Sequence, residues 1–151
     1  MTPMPRIRIE TMTQKLVIIL AATLALATAA QAEGNKPKVD PSKLPPVAAK
    51  QGVTYAGDIK TILDKSCIKC HGAEKAKAKL RLDSLAGALK GGENGKIIEP
   101  GKSAESAMVH SVAWLGDEDY WMPPKDNKAN IPQLTKEQVG LIRAWIDQGA
   151  K

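Results

Sequence analysis

Six consecutive residues, Cys67-Ile68-Lys69-Cys70-His71-Gly72, constrain this chain more than any other stretch. C-x-x-C-H is the attachment signature of a c-type haem. Two thiols three positions apart reach the two vinyl groups on one edge of a porphyrin. The imidazole that follows lies under the ring and binds the iron from the proximal side. Two rival readings are weaker. A thioredoxin-type C-x-x-C pair belongs in a βαβ pattern, whereas a helical pattern precedes this one. A structural zinc site needs four closed ligands, and the chain has two cysteines and one further histidine, His110.

The start of the chain reads as an export signal. Arg6, Arg8 and Lys15 form a basic region, Leu16 to Ala29 is a 14-residue apolar and threonine run, and Ala30-Gln31-Ala32 has the A-x-A form of a cleavage site. The run is short for a bilayer span, so cleavage after Ala32 is expected and an uncleaved anchor is the alternative. No cysteine stands at the cut to suggest a lipoprotein, and Arg6 and Arg8 are not the adjacent pair of a twin-arginine signal. The expected organisation is a Sec-type signal peptide over 1–32, a Pro/Lys-rich linker over 33–50 and one domain over 51–151. The expected location is periplasmic or secreted, with no stable membrane insertion after cleavage.

Charge excludes one class of partner. The whole chain is +6. Removing three basic residues and Glu10 leaves the mature protein near +4, too mild for a nucleic-acid-binding face. Both cysteines fall in the motif, so as thioethers they leave neither free thiol nor disulfide, which suits an oxidising compartment. Aromatic residues are scarce, with three Trp, two Tyr and no Phe. Aromatics dominate the energetics of ordinary cores, so a porphyrin is expected to supply the missing bulk.

Helical periodicity accounts for the rest. Tyr55, Ile59, Ile62 and Leu63 fall on one helix face leading into the motif. Lys69, Lys75, Lys77 and Lys79 follow as either a solvated loop or a positive rim that steers an acidic redox partner. Leu80, Leu82 and Leu85 read as core around a turn. Asp83 or Ser84 can cap a short helix from Leu85 to Lys90 that Gly91-Gly92 ends. The Gly-rich stretch that follows lacks the Lys-Ser/Thr ending of a phosphate loop. Ser103 is the expected N-cap of a helix running to about Trp114, with Ala104, Met108, Val112 and Leu115 on one face and His110 pointing elsewhere. Residues 116–130 form a loop containing Tyr120-Trp121-Met122-Pro123-Pro124. The last helix has a capping box (Thr135, Gln138), a hydrophobic staple (Leu134, Val139), an apolar stripe (Val139, Ile142, Trp145, Ile146) and a stop at Gly149. Without repeats or strand alternation, the fold class is all-α: a small, loop-rich helical domain wrapped around one covalently attached haem.

What completes the iron's coordination decides the function. A second Met supports electron transfer at raised potential, a His at lower potential, and an open position allows gas binding or peroxide chemistry. The mature chain offers Met108, Met122 and His110. Met122 is favoured, because the residue before a proline is held extended and Pro123-Pro124 stiffens the loop that presents it. Met108 is better explained as core, and His110 as a surface residue.

The segments ILDKSCIKCHGAEKAKAKLRLDS, LKGGENGKIIEPGKSAES, MPPK and LTKEQVGLIRAWIDQGA resemble the planctomycete-type cytochrome c domain over about Tyr55 to Ala150. The resemblance implies a cytochrome c-like fold with one haem c and its iron per chain. It implies Cys67 and Cys70 as thioether anchors, His71 as proximal ligand and Met122 as distal ligand. The function expected is an exported one-electron carrier between protein partners, with no catalytic residues. The alternative is a haem enzyme or gas sensor with a labile sixth position.

Overall fold

In a computed structural model that describes residues 39–151, the apolar face read at Tyr55, Ile59, Ile62 and Leu63 is helical and buried. Thr54 caps it, its Oγ1 accepting from the Gly57 amide at 3.1 Å. The first turn, Tyr55–Ile59, is wound as a π-helix and passes into α1, Lys60–Ser66. Cys67, with φ −127° and ψ −41°, breaks the helix before a single further turn, α2, Ile68–His71. The expected short helix is α3, Leu85–Lys90, capped by Ser84 and ended at Gly91 with φ +80°.

The third expected helix starts later than its Ser103 cap implied. Ser103–Glu105 is a 3₁₀ turn, and α4 spans Ala107–Val112. The side chain of Ser103 is engaged elsewhere. Its Oγ donates to Asp147 at 2.9 Å and accepts from Arg143 Nε at 3.2 Å. Ser106, which precedes α4, spends its hydroxyl on the Glu99 amide and the Lys102 carbonyl. Long-range polar partners thus outcompete the local cap.

The last helix, α5, Lys136–Asp147, has the capping box at both of its hydrogen bonds: Gln138 amide to Thr135 Oγ1 at 3.2 Å and Thr135 amide to Gln138 Oε1 at 2.9 Å. Val139, Ile142, Trp145 and Ile146 are each at most 1% exposed, so the predicted stripe is the centre of the core. Trp145 lies 6.1 Å from the Tyr55 ring. The Tyr55 hydroxyl donates to the Leu82 carbonyl at 3.0 Å, tying the core to the segment after the motif.

Residues 39–50, read from the sequence as the end of a linker, lie against α5. Leu44 is buried, the Ala48 amide donates to the Gly140 carbonyl at 3.0 Å, and Arg143 donates to the Pro45 carbonyl. A glycine inside a helix costs about 1 kcal/mol relative to alanine. Gly140 is explained by this crossing, since a Cβ there would stand 2.6 Å from the Pro46 carbonyl oxygen. The signal peptide expected over 1–32 and the first residues of the linker lie outside the described residues. Among the described residues there are five α-helices and no strand, only two isolated bridges. No described helix is long and apolar enough to cross a membrane.

Candidate functional site

The turn of α2 sets the motif side chains. Cys67, Cys70 and His71 stand at i, i+3 and i+4, which puts them on one side of a single helical turn. Amide-to-carbonyl bonds from Cys67 to Leu63 (2.8 Å), Cys70 to Cys67 (3.1 Å) and His71 to Cys67 (2.9 Å) hold that turn closed. Gly72 follows because a Cβ would meet the Ile68 carbonyl oxygen at 2.5 Å. The chain then returns, and the Leu82 amide donates to the His71 carbonyl at 2.8 Å.

Cys67, Cys70 and His71 line a cleft that is partly open to solvent. Met122 lies in the same lining, so all four predicted site residues come together around one space. The walls are overwhelmingly apolar, and they include no Asp, Glu, Lys or Arg. Met108 also reaches the cleft while being 4% exposed, so it is a core residue, as read, and a wall residue too. His110 is not in the lining; its Nε2 is 2.7 Å from the Ala104 carbonyl.

The histidine is prepared as a ligand. Its Nδ1 is 3.2 Å from the Lys77 carbonyl, which only a donor N–H can satisfy. That bond assigns the tautomer and leaves Nε2 with its lone pair, the usual way a ligating imidazole is oriented. Burial lowers the His71 pKa; the backbone of Lys77 and Leu80 opposes that shift, and the Lys77 charge adds to it. The ring is therefore neutral at pH 7, the form that binds metal.

Cys67 carries the opposite message to a redox thiol. Burial pushes the Cys67 thiol up to about 12, with Cys70 adding to the rise. Reactive thiol–disulfide cysteines have lowered values and electropositive surroundings. Among the described residues no three His, Cys, Asp or Glu side chains converge on a point that could hold a metal ion. The motif residues instead spread along one wall, an arrangement that fits a flat, apolar group gripped at its edge and beneath its centre. A porphyrin fits that description, and the apolar lining suits its faces.

The lining also contains contributions the sequence did not reveal. The Gly-rich stretch set aside as a phosphate loop supplies Gly92, Asn94 and Gly95 to the rim. Ile97, Asn127 and Ile131 also line it, and no periodic signal marks them because they lie in irregular segments. Met122 sits on a braced loop: its amide donates to the Ser111 carbonyl at 3.0 Å, and Trp114 Nε1 donates to the Pro123 carbonyl at 3.0 Å. The Met122–Pro123 peptide is cis. Trp114 and Trp121 stack at 5.4 Å and 4°. Lys69, Lys75, Lys77 and Lys79 are exposed and make no ion pair among the described residues.

The sequence model of the family described as Planctomycete cytochrome C matches residues 67–126, a stretch that begins at the first motif cysteine and includes Met122. No curated protein and no solved structure matches the chain significantly.

Proposed function

We propose, from the match of residues 67–126 to the Planctomycete cytochrome C family model, that this chain is an exported monohaem c-type cytochrome. In this reading it carries single electrons between protein partners and is not an enzyme. The observation that carries the proposal is the convergence of Cys67, Cys70, His71 and Met122 on one apolar cleft. Haem c, when bound, supplies an iron that alternates between ferrous and ferric states.

The chain's own residues do the rest. Cys67 and Cys70 would hold the group by thioether bonds, His71 Nε2 would bind the iron, and the Met122 thioether would take the remaining axial position. Lys77 keeps the imidazole oriented through its carbonyl. Leu80, Leu82, Ile97 and Val112 give the cleft apolar walls, and a low-dielectric, weakly hydrated shell favours the less charged redox state. Met108 belongs to the helix packing, whereas Met122 sits on a loop that can be placed independently of the core.

The carrier is favoured over a peroxidase-like enzyme by what lines the cleft. A distal acid–base residue would have to come from the walls, which contain no carboxylate and no second histidine. His110, the remaining candidate, is occupied by the Ala104 carbonyl. Partner binding is assigned to the exposed lysines Lys69, Lys75, Lys77 and Lys79, whose charges would steer a protein with an acidic docking face. Export rests on the Sec-type pattern of residues 1–32 and on the habit of such domains.

A visible spectrum of protein matured in the periplasm, in both redox states and with carbon monoxide, tests the reading. The expected result is a low-spin c-type spectrum in both states and no carbon monoxide binding by the reduced protein at neutral pH. Ready binding of carbon monoxide would move the protein to the gas-sensor or enzyme class.

A further inference from the structure

We propose that Trp114 is a positioning residue for Met122, bracketing the ligand loop from both sides. The inference rests on Met122 as the axial ligand. Trp114 stands two residues after α4 with φ +54°, the left-handed residue of the turn that ends the helix, closed by the Leu115 amide on the His110 carbonyl at 3.0 Å. Its indole then engages the ligand loop. The ring stacks on Trp121, the residue before Met122, with centroids 5.4 Å apart and planes 4° from parallel. Its Nε1 donates to the carbonyl of Pro123, the residue after Met122, at 3.0 Å. One side chain therefore holds both neighbours of the ligand. Lys125 closes the bracket: its Nζ lies 4.3 Å from the Trp121 centroid and 5.9 Å from that of Trp114, and it is 3.3 Å from Glu118 Oε1. Met122 itself is tied to α4 through the Ser111 carbonyl.

The bracket matters because a thioether is a neutral, weak donor. It holds an axial position against added ligands only through the effective concentration at which the loop presents it. Loosening the loop lowers that concentration without touching the sulfur. A residue needed only for packing would affect thermal stability and leave this competition unchanged.

Imidazole titration of the oxidised protein, followed by loss of the far-red band of thioether-ligated haem, reads the competition directly. Trp114→Phe keeps the ring and removes the N–H. It should raise imidazole affinity about five- to tenfold, the factor expected for one lost hydrogen bond. Lys125→Gln removes the cation from the exposed edge and should raise it about twofold; it decides the matter if Trp114→Phe does not accumulate. Trp145→Phe is the control. It breaks the comparable bond from Trp145 Nε1 to the Lys151 carbonyl, 2.9 Å long, and should lower Tm while leaving imidazole affinity unchanged. Wild-type affinity in both Trp114→Phe and Lys125→Gln overturns the bracket, as does an equal rise in Trp145→Phe. Met122→Ala separates the two levels of the proposal. If it keeps the far-red band, the ligand assignment fails and the bracket with it. If it loses the band while Trp114→Phe and Lys125→Gln both behave as wild type, only the bracket fails.

Discussion

The side of the domain built on α5 and the side built around the cleft solve the same problem differently. On the α5 side, the helix stripe meets Tyr55, Ile59, Leu63, Ile98 and Val109, all buried. Its polar groups are satisfied within the polypeptide: Asp147 takes the Ser103 amide and hydroxyl, and Gln148 bonds Lys50 and Val53. On the cleft side, α2 is four residues long, and long loops replace helices. The motif residues and the methionine loop line one shared space. The contrast locates where the polypeptide suffices and where a non-protein group is needed. Small domains bury a limited fraction of their surface, and this one spends its large side chains on α5.

The comparison breaks most visibly if the cleft side proves self-sufficient. Cys67→Ser with Cys70→Ser removes covalent attachment, and that protein should not accumulate or should show no cooperative thermal transition near the wild type's. A cooperative transition at the wild-type temperature would mean the cleft closes without its group. On the other side, Trp145→Ala opens a cavity in a fully packed region and should cost about 3–5 kcal/mol in denaturant unfolding of the holoprotein. The far-red band should survive in the fraction that remains folded, since Trp145 lies outside the cleft lining. Thr135→Ala removes one cap of the same helix and should cost about 1 kcal/mol by the same measurement. The smallest effect on stability should come from Lys75→Glu with Lys77→Glu, both exposed beside the cleft. There the change is kinetic. Electron transfer with an acidic partner should slow at low salt, and the difference should shrink as salt rises, because exposed charges are screened beyond about 10 Å at 0.1 M. Equal rates at low salt would return these lysines to the role of a solvated loop.

The two sides also differed in how far the sequence could be read. Helix α5 was legible almost residue by residue, because capping boxes, staples and apolar stripes are local signals that the tertiary structure left intact. The α3 cap at Ser84 was legible for the same reason. The Ser103 cap was not, because its hydroxyl answers to Asp147 and Arg143, 44 and 40 residues away. Residues 41–50 looked like a tether because prolines and lysines dominate them. What binds them is the burial of Leu44 and hydrogen bonds of their own backbone with Gly140, Arg143 and Gln148, to which composition is blind. At the site, motif and proline context picked out Cys67, Cys70, His71 and Met122, and all four lie in the lining of one cleft. The Gly92–Gly95 rim and the Trp114 bracket were not legible, since each depends on distant segments meeting in space.

The central claim is that Met122, and not Met108 of the same lining, completes the coordination of a haem held by Cys67, Cys70 and His71. The most direct measurement is the far-red absorption band of the oxidised protein in Met122→Ala and Met108→Ala, beside the wild type. The prediction is a band in the wild type, its loss in Met122→Ala with a lowered potential and new carbon monoxide binding, and its retention in a less stable Met108→Ala. A band kept in Met122→Ala and lost in Met108→Ala would contradict the account.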